Sequence, residues 1–171
     1  MREPLQISLD KIKTVREQAG AGVMDAKKAL EESGGDIEKA LDVLRDKGMA
    51  AAVKKAGRKT EEGLIETYVH GGGRVGVMLE VNCETDFVAR TSVFKDLCHN
   101  LAMQIAAMSP VYIDENDISD DEKRIPEEIA LGSQPYIRDP GMSISDLILE
   151  VAGKLGENIK VKRFARFALG E

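Results

Sequence analysis

The sequence predicts an α+β protein: an N-terminal module of three short helices, a linker, and a small antiparallel sheet with helices packed on one face. Three observations predict this. Apolar residues between 8 and 48 recur at helical spacing. Two alternating runs flank Gly71-Gly72-Gly73, the pattern of a hairpin. A long amphipathic helical stripe follows them, and an extended segment closes the chain.

Ser8 can cap the first helix, and Leu9, Ile12 and Val15 form its apolar stripe. Ala19-Gly20-Ala21-Gly22 breaks it. A second helix over 25–33 turns Ala26, Ala29 and Leu30 inward, and Gly34-Gly35 stops it. Asp36 caps a third, in which Ile37, Ala40, Leu41 and Leu44 recur at i, i+3, i+4 and i+7. Gly48 is expected to end that helix as a left-handed cap. The module is thus residues 1–48. Residues 49–63 are alanine-rich, with Lys54, Lys55, Arg58 and Lys59, and read as a partly helical, solvated linker.

The second domain spans 64–171. Strands over 64–70 and 74–83 enclose the glycine turn. Ser92 to Met108 follows as a helix with Val93, Leu97, Leu101, Ile105 and Met108 on one side, and Pro110 stops it. Residues 114–128 are acidic and irregular, with a short helical turn. Gln134-Pro135-Tyr136-Ile137 is extended, and Asp139-Pro140-Gly141 reads as a turn. Ser143 caps a helix whose core side is Leu147, Ile148, Val151 and Leu155. Residues 159–169 form the last strand.

Composition bounds the function. Of 171 residues, 43% are apolar and 32% charged, a soluble globular balance. The net charge of −6 gives no overall attraction for duplex nucleic acid, and no direct nucleic-acid contact is expected. Cys83 and Cys98 make no disulfide framework and read as reduced thiols. The first six residues lack the apolar run of a secretory signal, and no stretch has the length to span a bilayer. The expected location is the cytoplasm, or an organellar matrix where a presequence has been removed.

Few patterns suggest chemistry. Gly71-Gly72-Gly73-Arg74-Val75-Gly76 fits the dinucleotide fingerprint by its letters, but a strand follows the glycines where the fingerprint needs a helix. Cys83, Cys98, His70 and His99 lack the local pair spacing of a zinc site, and adjacent Cys98 and His99 diverge on their helix. No metal, cofactor or catalytic set is predicted. Lys160, Lys162, Arg163 and Arg166 make the last strand basic, read as edge protection or a protein contact rather than an RNA site. Thr85-Asp86-Phe87-Val88 joins strand to helix. Thr85 or Asp86 can cap that helix with Phe87 tucked beneath as a staple, or the turn can present Phe87 to another molecule. In a chain with no tryptophan and four phenylalanines, an aromatic placed there is notable.

Residues 18–30, Gln18-Ala19-Gly20-Ala21-Gly22-Val23-Met24-Asp25-Ala26-Lys27-Lys28-Ala29-Leu30, resemble the N-terminal signature of the elongation factor Ts family. Val81-Asn82-Cys83-Glu84-Thr85-Asp86-Phe87-Val88-Ala89-Arg90 is similar to its second signature. Gln134-Pro135-Tyr136-Ile137 and the segment from Gly156-Glu157-Asn158-Ile159 to Phe167 resemble its C-terminal motifs. The resemblance covers nearly the whole chain in the same order.

It implies a translation factor that exchanges guanine nucleotide on elongation factor Tu, in its GDP-bound and nucleotide-free forms, without bond chemistry of its own. By that resemblance the N-terminal module is ubiquitin-associated-like and contacts the nucleotide domain of the GTPase. Thr85, Asp86, Phe87 and Val88 would be the turn that dislocates its magnesium. Gly20, Gly22, Met24, Asp25 and Lys28 fall in the partner-contact motif, some in contact and some structural. The later core would contact a second domain of the GTPase.

Two departures stand out. Members usually carry a helical hairpin where this chain has only the acidic stretch 114–133. One related half of the core is present rather than two, and short members can pair as homodimers; the last strand has no cysteine for a disulfide across that pairing. The competing classes are a ubiquitin- or RNA-binding adaptor and, further off, a zinc hydrolase or a thiol enzyme using Cys83.

Overall fold

A computed structural model describes residues 7–171; residues 1–6, read above for the absence of a signal, lie outside the described residues. Helix α1 (Leu9–Ala19) starts where the Ser8 hydroxyl accepts the Lys11 amide at 3.3 Å, and ends at Gly20, whose φ of 64° is the left-handed cap. Helix α2 (Val23–Glu32) begins two residues before its expected start, at Gly22, with no side-chain cap. Asp36 caps helix α3 (Ile37–Lys55) by accepting the Lys39 amide at 3.1 Å. The three helices bury Ile12, Val15, Leu30 and three alanines, a core as small as the segment length requires.

The expected end of the third helix at Gly48 does not occur: α3 runs through it to Lys55. Helix α7 (Ile144–Leu155) explains the glycine. A Cβ on Gly153 would lie 2.4 Å from the Gly48 carbonyl carbon, so the two backbones cross too closely for a side chain there. The stretch expected as solvated linker is therefore helical up to Lys55, and Ala52 is buried in the main core.

The main sheet has the order β1-β2-β5, all antiparallel: β1 (Glu62–His70), β2 (Val75–Cys83) and β5 (Lys160–Ala168). Gly71, Gly72 and Gly73 all have positive φ, which is why the hairpin turn is written in glycine. One sheet face, with Val77, Leu79 and Val81, packs under α5 (Ser92–Met108) through Phe94, Leu97, Leu101 and Ile105. Helix α4 (Asp86–Ala89) leads into α5. Among the described residues no helix covers the other face, which exposes Ile65, Val69, Met78 and Phe167.

The acidic stretch holds a 3₁₀ turn, Glu115–Asp117, then α6 (Pro126–Ile129) and a second 3₁₀ turn, Leu131–Ser133. Strand β3 (Pro135–Tyr136) then pairs with β4 (Asp139–Ser143). Here the expected turn is displaced: Tyr136 pairs with Asp139, so Ile137-Arg138 make the loop and Asp139-Pro140-Gly141 enter the strand. Buried Gln104 fixes this segment. Its amide donates to Gln134 Oε1 (3.2 Å) and the Pro135 carbonyl (3.1 Å), and its oxygen accepts the Ile137 amide (2.9 Å).

Candidate functional site

Strand β2 ends at buried Cys83, and the chain turns at once into α4. Thr85 is its N-cap, accepting the Val88 amide on Oγ1 at 3.4 Å. Thr91 then caps α5 by accepting the Phe94 amide (3.2 Å) while donating to the Val88 carbonyl (2.8 Å). Ala89 is buried and Val88 packs on the main core. Asp86 pairs with Arg90 at 2.8 Å on the surface. Phe87 is 76% exposed. The capping reading of Thr85 therefore holds, and the staple reading of Phe87 does not: its ring lies in solvent because Val88 and Ala89 occupy the inward side of the turn.

Glu157, just beyond α7, holds this turn from across the fold. Its Oε2 accepts the Glu84 amide (3.1 Å) and the Thr85 amide (3.0 Å), and its Oε1 accepts the Thr85 hydroxyl (2.6 Å). Glu84 replies by accepting the Asn158 amide at 2.7 Å. That amide, aided by the Arg58 guanidinium, holds the Glu84 carboxyl below its ordinary range. The Asn158 side chain donates to the carbonyls of Ala56 (3.0 Å) and Arg58 (2.8 Å), just past the end of α3. Sequence reasoning assigned no role to Glu84, Glu157 or Asn158. Their partners lie more than seventy residues away, so no local periodicity reveals them.

The N-terminal motif divides in the same way. Gly20 caps α1 and Gly22 opens α2. Met24, Asp25 and Lys28 are exposed. Gly20, Gly22, Asp25 and Lys28 line a groove of about 680 Å³ between the module and α7, with Arg45 and Lys154 on its walls. Met24, 73% exposed, stands outside that groove, as do Thr85, Asp86, Phe87 and Val88.

The competing constellations disperse. Burial pushes the Cys83 thiol up to about 11 and the Cys98 thiol up to about 12, the opposite of an activated nucleophile. His70 bonds to Tyr68 (2.9 Å) and His99 to Glu66 (3.2 Å); among the described residues no three His, Cys, Asp or Glu converge on a metal position. On the basic strand, Arg163 pairs with Glu80 and Arg166 with Glu171, each at 2.7 Å. Among the described residues no helix is long and apolar enough to cross a membrane.

Comparison with known proteins agrees with this assembly of motifs. A sequence profile of the family described as Elongation factor TS matches residues 10–126. The chain is 48% identical to elongation factor Ts of Thermotoga petrophila over 98% of both chains. It is 49% identical to that of Thermotoga neapolitana, covering 98% of this chain and 99% of the relative. For Carboxydothermus hydrogenoformans the identity is 44%, over 96% and 90%. These alignments run over 195 positions against 171 residues here, so the relatives carry residues that this chain lacks. The chain belongs to the elongation factor Ts family.

Proposed function

We propose that this chain acts in translation elongation as a guanine-nucleotide exchange factor. It binds elongation factor Tu in its GDP-bound and nucleotide-free forms, dislocates the magnesium ion, and promotes GDP release for GTP reloading. The carrying observation is Phe87: 76% exposed, on a turn whose backbone is fixed on both sides. Nanomolar nucleotide binding is worth about 12 kcal/mol, so unaided release is slow. Magnesium bridging the phosphates supplies part of that hold. The factor breaks no bond. It binds the empty GTPase better than the loaded one, and by linkage nucleotide expels the factor to the same degree. Phe87 is the apolar wedge that shifts packed elements near the magnesium, while Asp86, paired with Arg90, keeps the turn in shape or meets a polar group of the partner.

The test is release of labelled GDP from elongation factor Tu. Phe87→Ala should abolish most of the acceleration at saturating factor while leaving stability within about 0.5 kcal/mol, as for an exposed side chain. Full acceleration with binding intact removes the wedge. An adaptor for ubiquitin or RNA would leave release untouched. The N-terminal motif anchors: Met24→Ala, 73% exposed, should raise the half-saturating factor concentration without lowering the limiting rate. Two copies also pair through the uncovered sheet face, where Val69, Met78 and Phe167 offer apolar area. Phe167→Asp should shift the sedimenting species to a monomer; a wild-type monomer at high concentration refutes the pairing.

A further inference from the structure

We propose that Glu157 is the positioning residue of the Phe87 wedge: its carboxylate presets the turn, and so sets where the ring stands before any partner arrives. This rests on the exchange-factor reading of that turn. Helix α4 is a single turn of four residues, too short to hold itself. The Phe87 ring is exposed and no neighbouring side chain holds it, so its backbone sets the point and direction from which it projects. That backbone is determined at Thr85.

The geometry there leaves Thr85 one orientation. Glu157 Oε2 takes two consecutive amides, of Glu84 and Thr85, and Oε1 takes the Thr85 hydroxyl proton at 2.6 Å. With its proton committed, the hydroxyl offers a lone pair to the Val88 amide, which is the cap that starts α4. These are charge-assisted bonds, the stronger kind. Glu157 is itself fixed. Gly156 ends α7 in the left-handed region (φ 74°), and its carbonyl accepts Lys55 Nζ at 2.6 Å. Asn158 ties the next residue to Glu84 and to the chain just past α3. The same α7 meets α3 at Gly48 and stands beside Gly20 through Lys154. One helix thus carries both the support of the wedge and the wall of the anchoring motif. A contact group held in its working place spends less binding energy on ordering, and a supporting shell of this kind supplies that order.

The experiment measures GDP release from elongation factor Tu against factor concentration, and amide exchange of residues 85–90 in the free factor. Glu157→Ala removes all three carboxylate bonds; it should speed exchange at Val88, Ala89 and Arg90 and lower the limiting release rate by at least about tenfold, the effect of losing even one charge-assisted bond. Its half-saturating concentration should stay within about threefold, since anchoring lies elsewhere. Glu157→Gln keeps one acceptor oxygen and should fall between. Thr85→Val reaches the same bond from the other side and serves if Glu157→Ala melts. The double variant should lose less than the sum of the two single losses, because the Thr85 hydroxyl bond is shared while the Val88 cap and the two backbone bonds of Glu157 are not. A merely structural role predicts a lower melting temperature with an unchanged limiting rate per folded molecule, and that result overturns the proposal. Faster exchange at the turn with an unchanged rate overturns it too, and leaves the Phe87 wedge standing. If wild-type factor accelerates nothing, the exchange reading falls and this role falls with it; if only Phe87→Ala proves silent, the wedge and the positioning role of Glu157 both fall while the exchange reading stands.

Discussion

The two stretches proposed to meet the partner are built by different means. The turn at Thr85-Asp86-Phe87-Val88 is held by side chains: one carboxylate from Glu157, a reply from Glu84, and Asn158 beneath. The loop at Gly20-Ala21-Gly22 is held by backbone: a left-handed glycine cap on one helix and an uncapped start on the next. The cores beneath differ in the same sense. The turn rests on a large cluster that includes Phe94, Leu97 and Leu101, whereas the loop rests on a small one of Ile12, Val15, Leu30 and three alanines. A wedge must push against something, so its support has to be stiff. An anchor needs only affinity and tolerates give.

The largest blow to this contrast is Leu30→Ala. Leu30 is fully buried in the small core, and its loss should destabilise by about 3 kcal/mol. Amide exchange in α1 and α2 should rise steeply while β2 and α5 keep their protection. Equal loss in both regions would mean that the continuous α3 makes them one cooperative unit.

Next is the join. Gly153→Ala places a methyl 2.4 Å from the Gly48 backbone and should lower stability by about 2 kcal/mol. Gly48→Ala meets Gly153 only at 3.5 Å, and inside a helix it gains propensity, so it should be neutral or stabilising by up to about 1 kcal/mol. Thermal melts of the pair decide. Equal losses would show that the crossing does not have this asymmetric geometry.

This join is also where sequence reading failed. Gly48 has the look of a helix cap, and only a partner glycine 105 positions away reveals it as a contact point. Local chemistry was legible wherever it was local. The Ser8, Asp36 and Ser143 caps, the glycine hairpin and the Ser92–Met108 helix are all written within a few residues of where they act. The exposed Phe87 was half legible, because its position on a turn admitted both a staple and a contact. Glu157 was invisible as a support, since its three bonds go to residues 72 and 73 positions earlier. The displaced turn before β4 was missed because Asp139-Pro140-Gly141 carries turn residues yet pairs as strand once Gln104 fixes the segment ahead of it.

A gentler lever acts on one region alone. Cys83 and Cys98 are both in the main core, and the module has no cysteine. Burial raises the Cys98 thiol from its ordinary 9.0 to about 12. The folded protein favours the protonated thiol, so this contribution is complete below about pH 9. It drains away as pH rises towards 12, where the folded thiol also ionises. Denaturation midpoints should fall between pH 8 and 10.5 with the sheet leading, and Cys98→Ala should flatten that slope. At pH 8 both native thiols should resist alkylation until the chain unfolds; rapid native labelling of Cys83 would revive the thiol-enzyme reading.

The smallest expected effect probes the loop. Gly22 stands at the N-cap of α2 with φ −68° and ψ 155°, a conformation any residue adopts. A Cβ there meets only the Asp25 carboxylate at 3.2 Å, the movable end of a side chain. Gly22→Ser should therefore cap the helix, with Asp25 three residues on to complete the box, and raise stability by a few tenths of a kcal/mol. The fold gives no reason for glycine at this position. If association with elongation factor Tu weakens while the melt rises, the glycine serves close approach of the partner and the loop is an anchor by its backbone. If association is unchanged, the anchor reduces to the side chains of Met24, Asp25 and Lys28, and the contrast with the side-chain-braced turn becomes one of stiffness only.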